Sequence, residues 1–228
     1  MKEQTAWRAC VIGALAVIVI GLITMGQFPT DGAGYDPGLG APIYAFEMAR
    51  TQADLIAVFG AIDDPARAGR IAAMDAGNLW DYPFMLAYGL FIALFFVAGA
   101  KQSGRKVWLL FGALGVIAAV SDGIENKILL GLTADLENAP YLDLLAYPVW
   151  IKFWCLMGAG IGAGLFMMAE NDSWLWKLLG AIVALAALGV LAGFWSPTHY
   201  AVLMGNGLTI CWVLQLVYAA RRSWATPA

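Results

Sequence analysis

Residues 178–220 have the sequence LLGAIVALAALGVLAGFWSPTHYAVLMGNGLTICWVLQLVYAA, which contains no Asp, Glu, Lys or Arg. A helix needs ~20 mostly apolar residues to cross a bilayer, so this stretch is about twice the length of one span. Pro197, near its middle, does not fit the interior of a helix. We therefore predict two membrane-spanning helices here, joined by a tight turn at Trp195-Ser196-Pro197-Thr198.

Further apolar runs elsewhere in the chain predict the remaining spans. They cover residues 9–30, 82–100, 107–121 and 144–169, with Lys152 as the one charged residue among them. Apolar residues make up 61% of the 228 residues and charged residues only 13%, about half the ~25% of a soluble domain. The sequence thus predicts an all-α polytopic membrane helix bundle of about six transmembrane helices, forming a single membrane domain over residues 1–228.

The segment between the first two predicted spans, residues 29–79, is long and polar. Thr51-Gln-Ala-Asp54 has the pattern of a capping box, and Gly60 is a typical helix end. Asp64-Pro65 predicts another helix start, because Asp is a good N-cap and Pro is favoured at the first helical position. We therefore expect two or three short helices in this loop, capping the bundle on the extracytoplasmic side.

The basic residues determine the expected orientation. Most of them fall at one end of the predicted helices: Lys2, Arg8, Lys101, Arg105, Lys106, Lys177, Arg221 and Arg222. The positive-inside rule places this end, with both termini, in the cytoplasm, and residues 29–79 on the opposite side. The net charge of −3 argues against nucleic acid as a partner.

Ionisable side chains within membrane spans usually face the bundle interior and often mark function. Asp122, Glu125 and Asn126 are spaced i, i+3 and i+4, so they project from one helix face. Two carboxyl groups on one buried face repel each other, and one should stay protonated unless a cation approaches. Lys152 lies at a matching depth and is expected to approach at least one of them, whereas Lys127 is expected to extend outward.

Other polar residues extend this prediction. Asp81 opens the second span at the same depth, and Tyr88 lies two turns further along its face. Asn206 lies about two turns from His199 in the last span. The predicted ligand or ion cluster comprises Asp81, Tyr88, Asp122, Glu125, Asn126, Lys152 and Asn206. Structural stitching of the helices is the alternative interpretation of this cluster.

No metal site or cofactor is indicated by the sequence. His199 is the only histidine, and none of Cys10, Cys155 and Cys211 belongs to a C-x-x-C pair. Zinc sites built mainly from histidine and bis-histidine haem ligation are therefore excluded. Alternate glycines from Gly158 to Gly164 instead predict close helix contact, within the bundle or at a dimer face.

Several short motifs together resemble a group of small bacterial integral membrane proteins. They are Phe46-Glu-Met-Ala, Asn78-Leu-Trp-Asp81 followed by Phe84 and Tyr88, Asp122-x-x-Glu125-Asn126, and Lys152. The resemblance covers roughly residues 40–155 of the chain. It implies a location in the bacterial inner membrane and carries no known activity.

Three classes of function are compatible with these features. The first is a membrane protein that binds a lipid, a pigment or another small apolar ligand, or that joins a membrane-protein partner or a second copy of itself. The second is a proton- or ion-coupled transporter using the intramembrane Asp, Glu and Lys cluster. The third is a small membrane enzyme acting on a lipid or isoprenoid, with Asp122 or Glu125 as acid–base group. The absence of a catalytic motif favours the first class.

Overall fold

A computed structural model describes residues 3–224, and every regular element in that range is helical. Six helical segments are long and apolar enough to cross a membrane. The helices are α1 (Glu3–Met25), α2 (Pro42–Glu47), α3 (Gln52–Phe59), α4 (Arg67–Ser103), α5 (Trp108–Ala134), α6 (Ala146–Ala169), α7 (Trp174–Ala187), α8 (Gly189–Trp195) and α9 (Pro197–Trp224). The chain is thus a multi-pass membrane helix bundle, as the sequence predicted.

The spanning helices form a closed ring. Going round it, α1 packs on α4, α4 on α5, α5 on α6, α6 on α7, and α7 with α8 on α9, which returns to α1. We call the end that carries α2 and α3 the loop end. The opposite end, where Glu3 and Arg222 form an ion pair of 2.9 Å, is the terminal end.

The loop between α1 and α4 contains the predicted short helices. At the start of α3, the Asp54 amide donates to the Thr51 hydroxyl, and the Thr51 amide donates to the Asp54 carboxylate over 2.9 Å. This confirms the capping box. The helix ends at Gly60, whose φ of 97° lies in a region that side chains with a Cβ rarely adopt.

The helix start predicted at Asp64-Pro65 is wrong in detail. The Asp64 carboxylate accepts from the Ala66 amide over 2.8 Å, and α4 begins only at Arg67. From there one continuous helix runs to Ser103, where we expected a short helix followed by a separate span. Pro83 lies inside this helix, a position that membrane helices tolerate because neighbouring groups can bond the freed carbonyl.

Aromatic side chains fill the terminal end of the ring. The ring of Trp7 meets those of Phe95 and Tyr218 edge to face, each at 5.4 Å between centroids. The Tyr218 hydroxyl accepts hydrogen bonds of 3.1 Å from the side-chain amides of Gln102 and Asn171. This region, which we call the aromatic core, combines dense packing with neutral hydrogen bonds.

Glycines bring α6 close to its neighbours inside the chain. A Cβ added at Gly164 would collide with the Gly180 carbonyl oxygen of α7, and one at Gly160 would lie 2.8 Å from the Ala187 Cβ. Close approach of these two helices therefore depends on small residues. These two glycines of the predicted ladder pack within the bundle.

Candidate functional site

The most densely charged interior region lies at the loop end, around the Lys152 ammonium. Its Nζ is 3.1 Å from a Glu47 oxygen, 3.1 Å from an Asp122 oxygen and 2.8 Å from a Glu125 oxygen. All of these side chains are buried. The predicted approach of Lys152 to Asp122 and Glu125 is confirmed by these distances.

Three helices supply these groups. The i, i+3 spacing on α5 turns Asp122 and Glu125 toward the ring interior, and Lys152 lies near the loop-end start of α6. Glu47 is the last residue of α2, a helix that begins at Pro42 and closes over the bundle. Sequence reasoning placed no role on Glu47. Its only signal was its position inside the Phe46-Glu-Met-Ala motif.

Hydrogen bonds tie α4 to the same group. The Tyr88 hydroxyl donates to the second Asp122 oxygen over 2.8 Å, and the Asn126 side-chain amide donates to Asp81 over 2.8 Å. We use the term carboxylate–lysine cluster for Glu47, Asp81, Asp122, Glu125 and Lys152. The structure thus brings all but one of the predicted site residues together.

Asn206 is the exception. It lies on an exposed face of α9 and does not line the cavity beside the cluster, whereas Gly205 and Thr209 of the same helix do. One residue corresponds to a rotation of ~100° around a helix of 3.6 residues per turn, which moves Asn206 off the interior face. Lys127 is exposed, as expected, and His199 bonds locally to the Ser196 and Thr198 hydroxyls.

A cavity of about 260 Å³, the polar cavity, adjoins the cluster. Aromatic rings form part of its wall: Tyr88 and Trp212 stack at 5.5 Å between centroids, and Phe84 meets Tyr88 at 5.6 Å. Tyr44 of α2 lines it from the loop. Burial and the nearby charge of Glu47 raise the pKa of the Tyr44 phenol, which therefore remains a hydrogen-bond donor.

A second cavity of about 290 Å³, the apolar cavity, continues from the first along α1 and α9. The residues that line both cavities are Gly21, Met25, Phe84, Thr209 and Trp212. Several of its lining side chains reach the outer surface of the bundle, with Leu22 72% and Val213 49% exposed. The apolar cavity therefore opens between α1 and α9 toward the surrounding lipid.

Two polar groups at the polar cavity lack hydrogen-bond partners among residues 3–224. Neither the side-chain oxygen nor the nitrogen of Asn78 is bonded, although its side chain is fully buried. The Glu47 Oε2 atom is likewise unbonded. Buried polar groups are nearly always paired with protein or ordered water, so these atoms have hydrogen-bonding capacity that the protein itself leaves unused.

The arrangement also bears on metals. Across the described part of the chain, no set of three or more His, Cys, Asp or Glu side chains is grouped so as to hold a metal ion. The cluster is built around an ammonium group instead. Its carboxyl groups balance the charge of Lys152 and offer hydrogen bonds beside the aromatic rings that line the polar cavity.

Comparisons with protein-family models, with curated proteins and with solved structures give no match to this chain.

Proposed function

We propose that this protein binds an amphipathic, lipid-like molecule inside its helix bundle. The polar head would occupy the polar cavity, and the apolar tail would occupy the apolar cavity. The observation that carries this proposal is the shared wall of the two cavities, one charged and one apolar. Together they fall within the ~300–1,000 Å³ of typical small-molecule sites.

The position of the opening supports the same function. A ligand that enters between α1 and α9 reaches the site from the lipid phase without crossing the polar loops. The polarity of the lining side chains increases in the same direction, from exposed Leu22, past Phe84 and Trp212, to the buried Lys152. An amphiphile matches this increase in polarity, because its apolar tail would lie near Leu22 and its polar head near Lys152.

The ligand-binding residues proposed here are largely those predicted from the sequence: Asp81, Tyr88, Asp122, Glu125, Asn126 and Lys152, together with Glu47 and Asn78. Asn206 is excluded because it faces away from the cavity. The cluster would hold the head in place, while Thr209 and Trp212 would border the passage from head to tail.

A blocking substitution tests this proposal. Thr209→Phe places a large ring where the two cavities meet, whereas Ile210→Phe adds the same ring at the next residue, which is 43% exposed and lines neither cavity. Both variants and the unchanged protein are purified in lipid nanodiscs, and their bound molecules are extracted and identified by mass spectrometry. We expect Thr209→Phe to lose a co-purified amphiphile that Ile210→Phe retains. If a correctly folded Thr209→Phe retains it equally, the proposal is wrong.

We also propose a location in the bacterial inner membrane, with the terminal end in the cytoplasm. The basic residues Lys101, Arg105, Arg221 and Arg222 at the terminal end support this orientation. The resemblance to small bacterial membrane proteins supports the membrane type. Single cysteines introduced at Asp36 and at Ser103, in a chain freed of its native cysteines, should label from opposite sides of the membrane. Labelling of both cysteines from the same side would contradict this topology.

A further inference from the structure

The carboxylate–lysine cluster contains more acidic than basic groups. Glu47, Asp122 and Glu125 share the single ammonium of Lys152, and Asp81 is held by an uncharged amide. The other nearby cation, Arg50, is partly exposed and donates to the backbone carbonyls of Glu47 and Ala49, so it balances the buried acids less than Lys152 does. Buried charge is costly unless it is balanced. At least one of these carboxyl groups must therefore be protonated unless an additional positive charge enters the cluster.

The unbonded buried atoms also favour a positively charged ligand, because most of them need a hydrogen-bond donor. Glu47 Oε2 and the Asn78 oxygen are buried acceptors without a donor in the described residues, and both side chains line the polar cavity. A ligand with several N–H groups would satisfy both. The free amide nitrogen of Asn78 is a donor, and it accommodates a hydroxyl or carbonyl oxygen next to the ligand nitrogen.

The aromatic wall is the third observation. Phe84, Tyr88 and Trp212 line the cavity beside the carboxyl groups. Aromatic ring faces attract cations, and they do so more strongly where water is excluded. A carboxylate or phosphate head would instead face the ring electrons and the excess of acids.

We infer that the polar cavity binds a primary ammonium group, and that the ligand of this protein is a long-chain amine. The inference rests on the proposed function, because it names the head of the amphiphile proposed above. A primary ammonium supplies three N–H donors for the free acceptors, one positive charge for the cluster, and a cation for the aromatic wall. A quaternary ammonium supplies the charge without the donors, and a metal ion has no tail to occupy the apolar cavity.

A series of amphiphiles with one tail and different heads tests this inference. The protein in phosphatidylcholine nanodiscs is titrated with 12-carbon chains brominated at the tail end, carrying a primary amine, a trimethylammonium, a hydroxyl or a carboxylate head. Bromine quenches nearby tryptophan fluorescence, and Trp212 lines both cavities. The quenching that disappears in Trp212→Phe is taken as the signal from the site.

We expect the primary amine to reach half-quenching at a concentration about tenfold lower than the alcohol, with the trimethylammonium in between and the carboxylate weakest. An alcohol or carboxylate that binds as tightly as the amine overturns the inference and leaves the proposed function intact. If no member of the series gives quenching that depends on Trp212, the proposed function itself fails.

A single substitution separates charge from packing. Glu47→Gln removes one charge but keeps an oxygen that can accept from Lys152, which retains Asp122 and Glu125 as partners, so the bundle should still fold. We expect it to weaken binding of the amine about tenfold and to leave binding of the alcohol unchanged. Glu137→Gln is the matched control, since Glu137 lies on the surface in an ion pair with Arg67. Equal effects of both substitutions, or no effect of Glu47→Gln on the amine, overturn the inference.

Discussion

At the loop end of the ring, charged groups surround an open cavity, whereas at the terminal end neutral aromatic side chains leave a closed interior. Both regions bury polar atoms. In the aromatic core the Tyr218 hydroxyl bonds to two side-chain amides, and the Trp7 Nε1 atom is unbonded among the described residues but lies within packed rings. Beside the polar cavity, both side-chain polar atoms of Asn78 are unbonded in the part of the chain that the structure describes, and Asn78 lines the cavity. The proposed function accounts for this difference, since it assigns helix packing to the terminal end and ligand binding to the loop end.

The largest expected effect separates a buried cation from an exposed one. Lys152→Met leaves three carboxyl groups without their shared partner, and removal of one member of a buried ion pair costs ~3–5 kcal/mol. Lys127→Met, at an exposed position on α5, should change the free energy of unfolding little. Unfolding of both variants by denaturant in detergent micelles gives the comparison.

A double substitution sharpens this result. Lys152→Met combined with Glu125→Gln should recover part of the lost stability, because fewer charges remain unbalanced. If stability returns but amphiphile binding does not, the cluster has a role in binding beyond stitching helices. Unchanged stability in Lys152→Met would show that the cluster is not tightly coupled to the fold.

The same chemical change at the two ends should have unequal effects. Tyr88→Phe removes a donor from a carboxylate, a bond worth ~1.5–3 kcal/mol, and it alters the wall of the polar cavity. Tyr218→Phe removes two neutral bonds within the membrane, each worth ~0.6–1.7 kcal/mol. We expect Tyr88→Phe to change both stability and ligand binding, and Tyr218→Phe to change stability alone. Equal loss of ligand binding in the two variants would contradict the division between the ends.

Much of this architecture was predictable because membrane spans have a strong compositional signal. The spacing of Asp122 and Glu125 and the depth of Lys152 were sufficient to predict that they meet. Glu47 was not predictable in this way, since its approach depends on how the loop folds back over the bundle. The wrong placement of Asn206 shows that distance along a helix does not determine the face on which a residue lies.

A smaller effect concerns the loop that supplies Glu47. Thr51→Ala removes the hydroxyl that accepts from the Asp54 amide at the start of α3, and loss of such a cap costs ~1 kcal/mol. Hydrogen exchange should become faster in α3 and remain unchanged in the aromatic core. Gln52→Ala, at the next position, keeps the capping box but removes a bond to the Leu136 carbonyl. Faster exchange that spreads equally to the aromatic core would argue against an independent loop.

The smallest expected effect is a loss of loop stability at acid pH. The Ala66 amide and the Arg70 guanidinium lower the pKa of the Asp64 carboxyl below its usual value, which is about 3.9. The ionised Asp64 carboxylate therefore stabilises the loop fully above pH ~4. This stabilisation is lost as the pH falls through the lowered pKa of Asp64. Asp64→Asn should remove this dependence, measured as hydrogen exchange near residue 64 between pH 5 and pH 2. A wild-type loop that is equally protected throughout would contradict the assignment.

The order of the cluster along the chain has a consequence for biosynthesis. Glu47, Asp81, Asp122 and Glu125 are all translated before Lys152, which arrives only with α6. At ~5–20 residues per second, the acids of α5 are made a few seconds before their partner, and Glu47 is made about 5–20 s before it. An uncompensated Asp at the centre of a membrane helix costs ~2.5–3.5 kcal/mol on translocon scales. We expect α5 to remain beside the insertion machinery until α6 emerges, so that the two enter the lipid as a pair.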